Sequence, residues 1–340
     1  MLPTNLSSEL LYSLAFAREL AMHATPFFFS SADKIDAVAS SSTSESRTQL
    51  VVSAEALNVE KLWDVQQHLI ETLSVQHWTV QFSRMAEQGR LVAKADIALN
   101  LSDNQAVNAA LEVVAQALQV ELSVVQDAPV LSNPGLIVMD MDSTVIQIEC
   151  IDEIAKLAGV GDKVSEVTEL AMQGKLDFAQ SLTSRVACLT NADESILKSV
   201  RARVPLMPGI ENLVKTLKLN GWKVAIASGG FTYFADYLKE RLGLDYAVSN
   251  QLEIVDAKLT GKVIGGIIDA QVKAQTVEGL AREYDIPLSQ TIALGDGAND
   301  LVMMDKAALG VAYKAKPIVK EKAQTAIRFS GLDQLLDYLQ

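Results

Sequence analysis

The stretch LIVMDMDST, residues 136–144, places two carboxylates directly after a run of four apolar residues. The apolar run predicts a buried β-strand, and Asp140 and Asp142 then stand where that strand ends. Side chains alternate along an extended chain, so these two carboxylates point to the same side. Two like charges that close to each other need a cation or a shared proton. The segment therefore predicts a site for a metal ion and an aspartyl nucleophile, with an ordinary Asp- and Ser-containing turn as the alternative.

A second acidic segment favours the metal site over the turn. The apolar residues 291–294 predict another short strand, and residues 295–300, GDGAND, follow it with two carboxylates and an amide. Because ligands of an open parallel sheet bind beyond the carboxyl ends of its strands, the two acidic segments are expected to meet. Mg²⁺ prefers hard oxygen ligands and usually binds one or two carboxylates together with a substrate phosphate. The metal ligands predicted on this basis are Asp140, Asp142 and Asp296.

Two further segments supply groups that suit a phosphoryl ligand. Residues 223–227 predict a strand that leads into Ser228-Gly229-Gly230, whose hydroxyl and backbone N–H groups could hold a phosphoryl oxygen. Lys273 is a candidate for the cation that neutralises the nucleophile and the phosphoryl charge. Either segment alone has an ordinary explanation, since Ser-Gly-Gly is usually a loop and a lysine at a helix start is usually solvated. Their order along the chain supports the functional interpretation.

This order of motifs, DxDST, SGG, a lone lysine and GDGxND, resembles the haloacid dehalogenase superfamily of phosphotransferases. The resemblance implies a Rossmann-like, doubly wound parallel α/β sheet with a helical cap inserted at about residues 149–204. It also implies Mg²⁺-dependent hydrolysis of a phosphate ester through an aspartyl phosphate. In that chemistry Asp140 attacks phosphorus, Asp142 acts as acid and base, and Ser228 and Lys273 are the other catalytic residues.

The cap resembles more narrowly the branch of the superfamily that hydrolyses O-phosphoserine in the last step of serine biosynthesis. There an acidic residue and an arginine grip the substrate's amino and carboxylate groups, and Glu149 and Arg185 stand at the matching positions. The planar fork of arginine binds a carboxylate with two parallel hydrogen bonds, which lysine cannot copy. The alternative is that Glu149 caps a helix and Arg185 is a surface charge. The expected substrate-binding residues are Glu149, Met172, Phe178, Arg185, Ser228, Gly229, Gly230 and Asn299.

Histidine usage narrows the mechanism. The chain has three histidines, His23, His68 and His77, and the region of the acidic motifs contains none of them. That region cannot supply a Ser-His-Asp triad or a phosphohistidine from its own residues. Acid and base work is therefore assigned to carboxylates.

The composition indicates an acidic protein of more than one domain. The chain has 340 residues and a formal net charge of -13, so two domains are expected. Neither nucleic acid nor an anionic membrane is an expected partner, since both attract basic patches. Cys150 and Cys188 form no disulfide framework and fit a reducing compartment. The first twenty residues carry charges where a signal peptide would be uncharged, and no apolar run is long enough for a membrane span. A cytoplasmic protein is expected.

Three regions are predicted along the chain. Residues 1–47 form an N-terminal arm, with a helical pattern near residues 10–20 and a Ser-rich linker at residues 40–46. Residues 48–128 show the order βαββαβ, which predicts a ferredoxin-like α+β domain and resembles an ACT-type small-molecule-binding domain. Residues 134–340 form the domain that resembles the haloacid dehalogenase superfamily. Whether the second region binds L-serine or another amino acid, forms a homodimer or only packs is left open.

Two rival classes of function are the alternatives to a phosphatase. A phospho-accepting receiver protein also groups acidic residues and a lysine on a doubly wound sheet, but it needs neither two carboxylates at one strand end nor a large cap. An amino-acid sensor with a spent active site would need degenerate motifs, and none of the motifs is degenerate. Hydrolysis of a small phosphate ester is therefore preferred, with transfer to another alcohol left open.

Overall fold

The computed structural model of the chain describes residues 13–24, 26–32, 34–38, 48–85 and 90–340. The chain forms two compact units. The first contains Met1–Leu131 and Val311–Gln340, and the second contains Ser132–Gly310. None of the helices in these described ranges has the length and apolar character of a bilayer span.

The described residues form thirteen strands and thirteen α-helices, numbered here in chain order. The strands are β1 Phe27–Ser31, β2 Lys34–Ala37, β3 Thr48–Ser53, β4 Leu73–Phe82, β5 Leu91–Leu99, β6 Glu121–Gln126, β7 Leu136–Met139, β8 Lys223–Phe231, β9 Tyr246–Val255, β10 Lys258–Ile264, β11 Thr291–Gly295, β12 Leu309–Tyr313 and β13 Thr325–Ile327. The helices are α1 Leu14–His23, α2 Val59–His68, α3 Asn104–Leu118, α4 Cys150–Leu157, α5 Gly161–Met172, α6 Phe178–Ala187, α7 Ser195–Arg201, α8 Ile210–Leu219, α9 Thr232–Leu242, α10 Ala270–Glu283, α11 Leu301–Lys306, α12 Pro317–Lys322 and α13 Leu335–Tyr338.

The first unit contains the predicted ferredoxin-like domain. Its elements follow the order β3-α2-β4-β5-α3-β6, and the sheet order is β2-β1-β4-β5-β3-β6. Strand β3 pairs antiparallel with both β5 and β6, and β4 pairs antiparallel with β5. The order and pairing confirm the predicted ferredoxin-like α+β fold and are consistent with an ACT-like domain.

Residues that the sequence assigned to an arm belong to this sheet. Strand β1 pairs with β2 and, through Phe27 and Trp78, with β4. Phe27 is 0% exposed and Phe28 is 40% exposed, the alternation of a strand with one buried face. The predicted Ser-rich linker and part of the predicted helical pattern at residues 10–20 lie outside the described residues. The rest of that pattern lies in α1.

The C-terminal thirty residues of the chain pack within the first unit, although the sequence placed them in the region 134–340. The buried carboxylate of Glu121 accepts backbone N–H groups from Arg328 at 2.8 Å, Phe329 at 2.8 Å and Ser330 at 3.0 Å. Asp337 accepts the N–H of Arg84 at 2.8 Å. These bonds join residues far apart in sequence, so the packing of this segment could not be deduced from local pattern.

The second unit is built on parallel strands. Strand β7 pairs in parallel with β8 and with β11, and β8 pairs in parallel with β9. Strand β10 returns antiparallel to β9 through Asp256 and Ala257, whose φ angles of 50° and 57° suit a tight hairpin turn. All residues of β7 and β11 are buried, as expected of a parallel sheet covered on both faces. The parallel register brings the carboxyl ends of β7, β8 and β11 to one edge.

The predicted cap is a helical insertion after β7. It consists of α4, α5, α6 and α7. Its two connections run side by side, with a bridge between Ile146 and Leu206. Helix α6 begins with a capping box, in which Asp177 accepts the N–H of Gln180 and Gln180 accepts the N–H of Asp177.

Candidate active site

Asp140 follows directly on β7. Its N–H donates to the carbonyl of Leu294 at 2.9 Å, which carries the contact between β7 and β11 one residue beyond the strand. Its Oδ1 accepts the N–H of Met141 at 2.8 Å, and the residue is only 8% exposed. The end of the sheet therefore fixes both the backbone and the carboxylate of the predicted nucleophile.

Lys273 lies between two carboxylates. It stands in the first turn of α10, which Asp269 caps by accepting the N–H groups of Gln271 and Val272. Its Nζ is 3.0 Å from Asp140 Oδ1 and 2.7 Å from Asp300 Oδ1. Burial would lower the pKa of this fully buried lysine, but the two carboxylates outweigh burial and raise it above the usual value. The two carboxylates therefore favour the protonated, cationic form of Lys273.

The GDGAND loop folds around Asp300. The N–H of Gly297 donates to Asp300 Oδ2 at 3.0 Å. A Cβ atom at Gly295 would collide with the Asp300 carboxyl group, so the loop needs glycine at that position. Burial and then the charge of Asp140 raise the pKa of the neighbouring Asp296 to about 7. Crowded carboxylates with a raised pKa are the groups that a bound cation would stabilise.

Three carboxylates in this loop region could hold a metal ion. One oxygen each from Asp140, Asp296 and Asp300 lies within 4.8 Å of the others. The sequence predicted Asp142 as the third metal ligand, whereas the structure groups Asp300 with Asp140 and Asp296. The carboxylate of Asp142 lies outside this group. Hard oxygen donors that close together suit Mg²⁺. The donor set therefore fits the predicted metal.

Asp142 faces a different part of the site. Its Oδ1 is buried and has no hydrogen-bond partner among the described residues. Burial, and then the negative charge of Glu149, raise the pKa of Asp142 well above its usual value. A Cβ atom added to Gly230 would lie 3.1 Å from Asp142 Oδ2 and 3.2 Å from Ser228 Oγ, so the three residues meet at one point. Asp142 thus faces Ser228-Gly229-Gly230, the irregular last part of β8 that is called the Ser-Gly-Gly loop here, with a carboxyl group suited to exchange a proton.

The Ser-Gly-Gly loop contacts the cap. Ser228 is 1% exposed, and its Oγ accepts the N–H of Gly230 at 3.0 Å. A Cβ atom at Gly229 would stand 2.7 Å from the ring of Phe178, so glycine lets this cap residue pack directly on the loop. The N–H of Gly230 was predicted to hold a phosphoryl oxygen, whereas the structure shows it donating to Ser228.

A pocket of about 290 Å³ opens in the cap beside Phe178. It is lined by Thr168, Ala171, Met172, Leu176, Asp177, Phe178, Ser181 and Arg185. Arg185 Nε is buried and has no hydrogen-bond partner among the described residues. Three predicted substrate-binding residues therefore share one pocket, and its arginine has a donor still to be satisfied.

The other predicted substrate-binding residues lie near the strand ends. Glu149 is exposed, and its Oε1 accepts the hydroxyl of Ser143 at 2.7 Å, which ties it to the DxDST segment. Asn299 is half-buried in the GDGAND loop. Thr144 was not among the predicted site residues, yet it is fully buried and donates to Asp296 Oδ1 at 3.4 Å. Its place in the DxDST motif was the available signal.

Comparisons with known proteins place the chain in a family. The sequence profile of the haloacid dehalogenase-like hydrolases matches residues 134–308. A phosphoserine phosphatase of Vibrio cholerae is 63% identical over 221 residues, which cover 65% of this chain and 67% of that protein. The chain belongs to the haloacid dehalogenase-like hydrolases, and within them to the family of the phosphoserine phosphatases.

Solved structures show the same fold. The unliganded crystal structure of a probable phosphoserine phosphatase from Vibrio cholerae has a TM-score of 0.72 at 49% identity, covering 88% of each chain. A structure described as a phospho-aspartyl intermediate analogue of phosphoserine phosphatase has a TM-score of 0.58 at 43% identity, covering 61% of this chain and all of that one. The predicted α/β fold and the predicted family are confirmed. The roles of individual site residues stay predictions.

Proposed function

We propose that this protein hydrolyses O-phosphoserine to serine and phosphate through an aspartyl phosphate on Asp140. The observation that carries the proposal is the buried Lys273, whose Nζ contacts Asp140 at 3.0 Å and Asp300 at 2.7 Å at the carboxyl edge of the parallel sheet. A relative whose structure is described as a phospho-aspartyl intermediate analogue supports the covalent route.

Asp140 would attack phosphorus and form an acyl phosphate, a mixed anhydride, while the bond from phosphorus to the serine oxygen breaks. Lys273 neutralises negative charge on the nucleophile and on the phosphoryl oxygens. The hydroxyl of Ser228 would donate to one of those oxygens, since its lone pair already accepts the Gly230 N–H. Because these donors are buried and held before the substrate arrives, they need little rearrangement during the reaction.

Asp142 would carry the proton. Its carboxyl group faces the Ser-Gly-Gly loop, and its buried Oδ1 makes no hydrogen bond to the described residues. It would protonate the leaving serine oxygen, then remove a proton from the water that hydrolyses the aspartyl phosphate. Both steps use the same carboxyl group in opposite directions, so the cycle returns it to its starting state.

Mg²⁺ is the proposed cofactor, and the residues that would hold it are Asp140, Asp296 and Asp300. When bound, it supplies positive charge that offsets the negative charge of the phosphoryl oxygens. The sequence-based assignment of Asp142 as a metal ligand stays a prediction. Asp300 already accepts bonds from Lys273 and Gly297, and Asp140 contacts Lys273 and accepts the N–H of Met141, so we expect Asp296 to contribute most to the affinity.

Substrate choice is assigned to the cap pocket. Arg185 would bind the serine carboxylate with its guanidinium fork, since its Nε is buried and unbonded among the described residues. Glu149 would bind the ammonium group. Phe178 packs on Gly229 and so links this pocket to the phosphoryl site. Met172 is 71% exposed, and we propose that it covers the substrate once the cap closes.

The deciding assay measures phosphate release from O-phosphoserine, phosphoethanolamine, phosphothreonine and a sugar phosphate, each with Mg²⁺ and with a chelator. Preferred, metal-dependent hydrolysis of phosphoserine is expected. Release of phosphate from all four esters at similar specificity constants would contradict the proposed substrate. A stable phosphoprotein without turnover would point to the receiver class.

We also propose an amino-acid ligand, L-serine first, for the ferredoxin-like domain. A pocket of about 260 Å³ in the first unit offers both charges that a zwitterion needs, from Glu55 and Arg90, beside the hydroxyl-bearing Ser53 and Ser330. Calorimetric titration of the phosphatase-inactive Asp140→Asn protein with L-serine tests it. Binding that Glu55→Gln leaves unchanged would contradict this pocket.

A homodimer and a cytoplasmic location complete the proposal. Cys150 and Cys188 are both free, which suits a reducing compartment. Light scattering of the purified protein measures the oligomeric state directly, and fractionation of the source cells measures the location.

A further inference from the structure

Asn250 joins two loops of the active site although it lies in none of the sequence motifs. It is 1% exposed, in β9. Its Nδ2 donates to the carbonyl of Gly229 at 2.8 Å, and its Oδ1 accepts the N–H of Ile268 at 2.9 Å. One buried amide therefore contacts both the Ser-Gly-Gly loop and the segment that leads into α10.

The bond from Asn250 to Gly229 lies where the pairing of β8 with β9 is interrupted. The register of β8 against β9 shifts between Ala227 and Phe231, which is the position of the Ser-Gly-Gly loop. A bulge of this kind interrupts the ladder and leaves backbone groups in need of another partner. The side chain of Asn250 provides that partner for the carbonyl of Gly229. The bulge is therefore held in one conformation.

That conformation determines what the Ser228 hydroxyl can do. The carbonyl of Gly229 and the N–H of Gly230 belong to one planar trans peptide unit and point in opposite directions. Fixing the carbonyl therefore fixes the N–H, which donates to Ser228 Oγ at 3.0 Å. Because Ser228 accepts this bond, its own proton is directed elsewhere and is available to a bound group.

The second bond, to the N–H of Ile268, reaches the segment just before the helix that carries Lys273. Ile268 precedes Asp269, which caps α10, and the N–H of Lys273 donates to the carbonyl of Asp269 at 3.0 Å. Asn250 thus bonds to the start of the helix whose lysine contacts Asp140. A buried apolar residue of similar size would fill the space but would leave one donor and one acceptor unsatisfied.

We propose that Asn250 is a positioning residue for the phosphoryl-group site, one that keeps the Ser228 hydroxyl oriented as a donor. The inference rests on the proposed phosphatase function. Asn250 would act through its hydrogen bonds alone, without contacting the substrate.

The test replaces one atom. Asn250→Asp keeps the acceptor for Ile268 and the shape of the side chain, but a carboxylate oxygen then faces the Gly229 carbonyl. We expect kcat for phosphoserine to fall about ten- to hundredfold, because small displacements of catalytic groups are costly. The inhibition constant of inorganic phosphate should rise by about tenfold for the same reason.

Asn108→Asp is the matched control. Asn108 is 7% exposed, and its Nδ2 also donates to backbone carbonyls, those of Glu321 at 3.0 Å and Ala323 at 2.8 Å. The substitution should lower the melting temperature while leaving kcat and phosphate inhibition close to wild type. Equal kinetic losses in the two variants would reduce Asn250 to a general contributor to stability and overturn the proposal.

A double-mutant cycle with Ser228→Ala separates positioning from mere support. If Asn250 acts through the Ser228 hydroxyl, Asn250→Asp should cost much less in the Ser228→Ala background than in wild type. Additive losses would overturn the proposal. Should Asn250→Asp fail to fold, Asn250→Ala carries the same cycle. Absence of phosphoserine turnover in the wild type would instead refute the proposed function, so the two failures are distinguishable.

Discussion

Lys273 Nζ lies 3.0 Å from Asp140 Oδ1, in a position where the lysine is fully buried and the aspartate is 8% exposed. A buried ion pair is costly unless further polar groups share its charge, and Asp300 shares it at 2.7 Å. The cation would also face a phosphoryl group attached to Asp140. The sequence separation of these residues shows how the parallel sheet assembles a site from segments that follow different strands and from the first turn of α10.

Replacing the nucleophile should abolish turnover without unfolding the protein. Asp140→Asn is nearly isosteric but leaves a poor nucleophile, so kcat for phosphoserine should fall by about a thousandfold or more. Beryllofluoride with Mg²⁺ should add to Asp140 in the wild type and not in the variant, as seen by mass spectrometry or crystallography. Asp256→Asn, in the exposed hairpin turn, is the control and should be fully active. Wild-type-like turnover in Asp140→Asn would end the covalent mechanism proposed here.

Asp142→Asn should distinguish the catalytic role of Asp142 from that of Asp140. The variant should still bind phosphate, but loss of acid and base catalysis should cost roughly a hundredfold or more in kcat. An activated aryl phosphate has a good leaving group and needs no acid, so its first step should suffer less than that of phosphoserine. Burst measurements of the first step give this comparison. Equal losses for both esters would assign the acid role to a group other than Asp142.

Removal of the Asp296 carboxylate should weaken the binding of Mg²⁺. Among the described residues Lys273 forms ion pairs with Asp140 and Asp300 but not with Asp296, so the carboxylate of Asp296 is the most available member of the group. Asp296→Asn should raise the Mg²⁺ concentration for half-maximal activity by about tenfold or more. Calorimetry should show the same loss in direct Mg²⁺ binding, and Asp305→Asn serves as the surface control. An unchanged Mg²⁺ affinity by calorimetry would remove Asp296 from the metal site.

The strand ends of the catalytic region could be predicted because each apolar run stops at a polar motif. The apolar runs 136–139 and 291–294 predict buried strands, and the structure has β7 and β11 at these positions. Parallel pairing then places Asp140 near Asp296 without any further information. The helical cap and the βαββαβ order of the ferredoxin-like domain were predictable for the same reason, because local sequence pattern determines them.

The grouping of Asp300 with Asp140 and Asp296, and the direction in which Asp142 faces, were not predictable from pattern. Alternation along a strand places Asp140 and Asp142 on one side, but the chain leaves extended geometry after Asp140, and Ser143 has a φ of 55°. The turn directs the Asp142 carboxyl group to the Ser-Gly-Gly loop. The GDGAND loop meanwhile bends Asp300 inward, where Gly295 leaves room for it. Loop geometry of this kind depends on contacts between distant segments.

The role of Asn250 was also invisible in the sequence. Its two bonds reach Gly229 and Ile268, 21 and 18 residues away. No local pattern distinguishes such an asparagine from a residue in a turn. Only the interrupted pairing of β8 with β9 shows why an amide is needed there.

Stability should depend on pH through Asp245. Its side chain accepts bonds from Lys218 at 2.8 Å, Lys223 at 3.1 Å and the N–H of Val224 at 2.9 Å. Burial would raise the pKa of Asp245, but these bonds outweigh it and hold the pKa below the usual value. A carboxyl group with a lowered folded-state pKa stabilises the fold above its unfolded pKa and loses that contribution as the pH falls through the folded value.

Asp245→Asn should therefore destabilise the protein by about 1 kcal/mol near neutral pH, since the ion pairs are partly exposed. The difference from wild type should stay constant from about pH 8 to pH 5 and shrink below about pH 4. Urea unfolding at several pH values measures it. A difference that persists unchanged at pH 3 would show that the carboxylate charge contributes nothing.

Substrate choice gives the last prediction, and it concerns Arg185. If the guanidinium binds the serine carboxylate, Arg185→Ala should lower the specificity constant for phosphoserine by an amount worth about 2–4 kcal/mol, because the truncation leaves a desolvated carboxylate unpaired. Phosphoethanolamine lacks that carboxylate and should be almost unaffected. Glu149→Gln should penalise both esters, since both carry the ammonium group, and Arg203→Ala, at an exposed arginine after α7, should penalise neither. The ratio of specificity constants in each variant converts these losses into differences of transition-state free energy. Equal losses for the two esters in Arg185→Ala would mean that the arginine supports the cap rather than the substrate carboxylate, and the buried Nε would then need a partner within the cap itself.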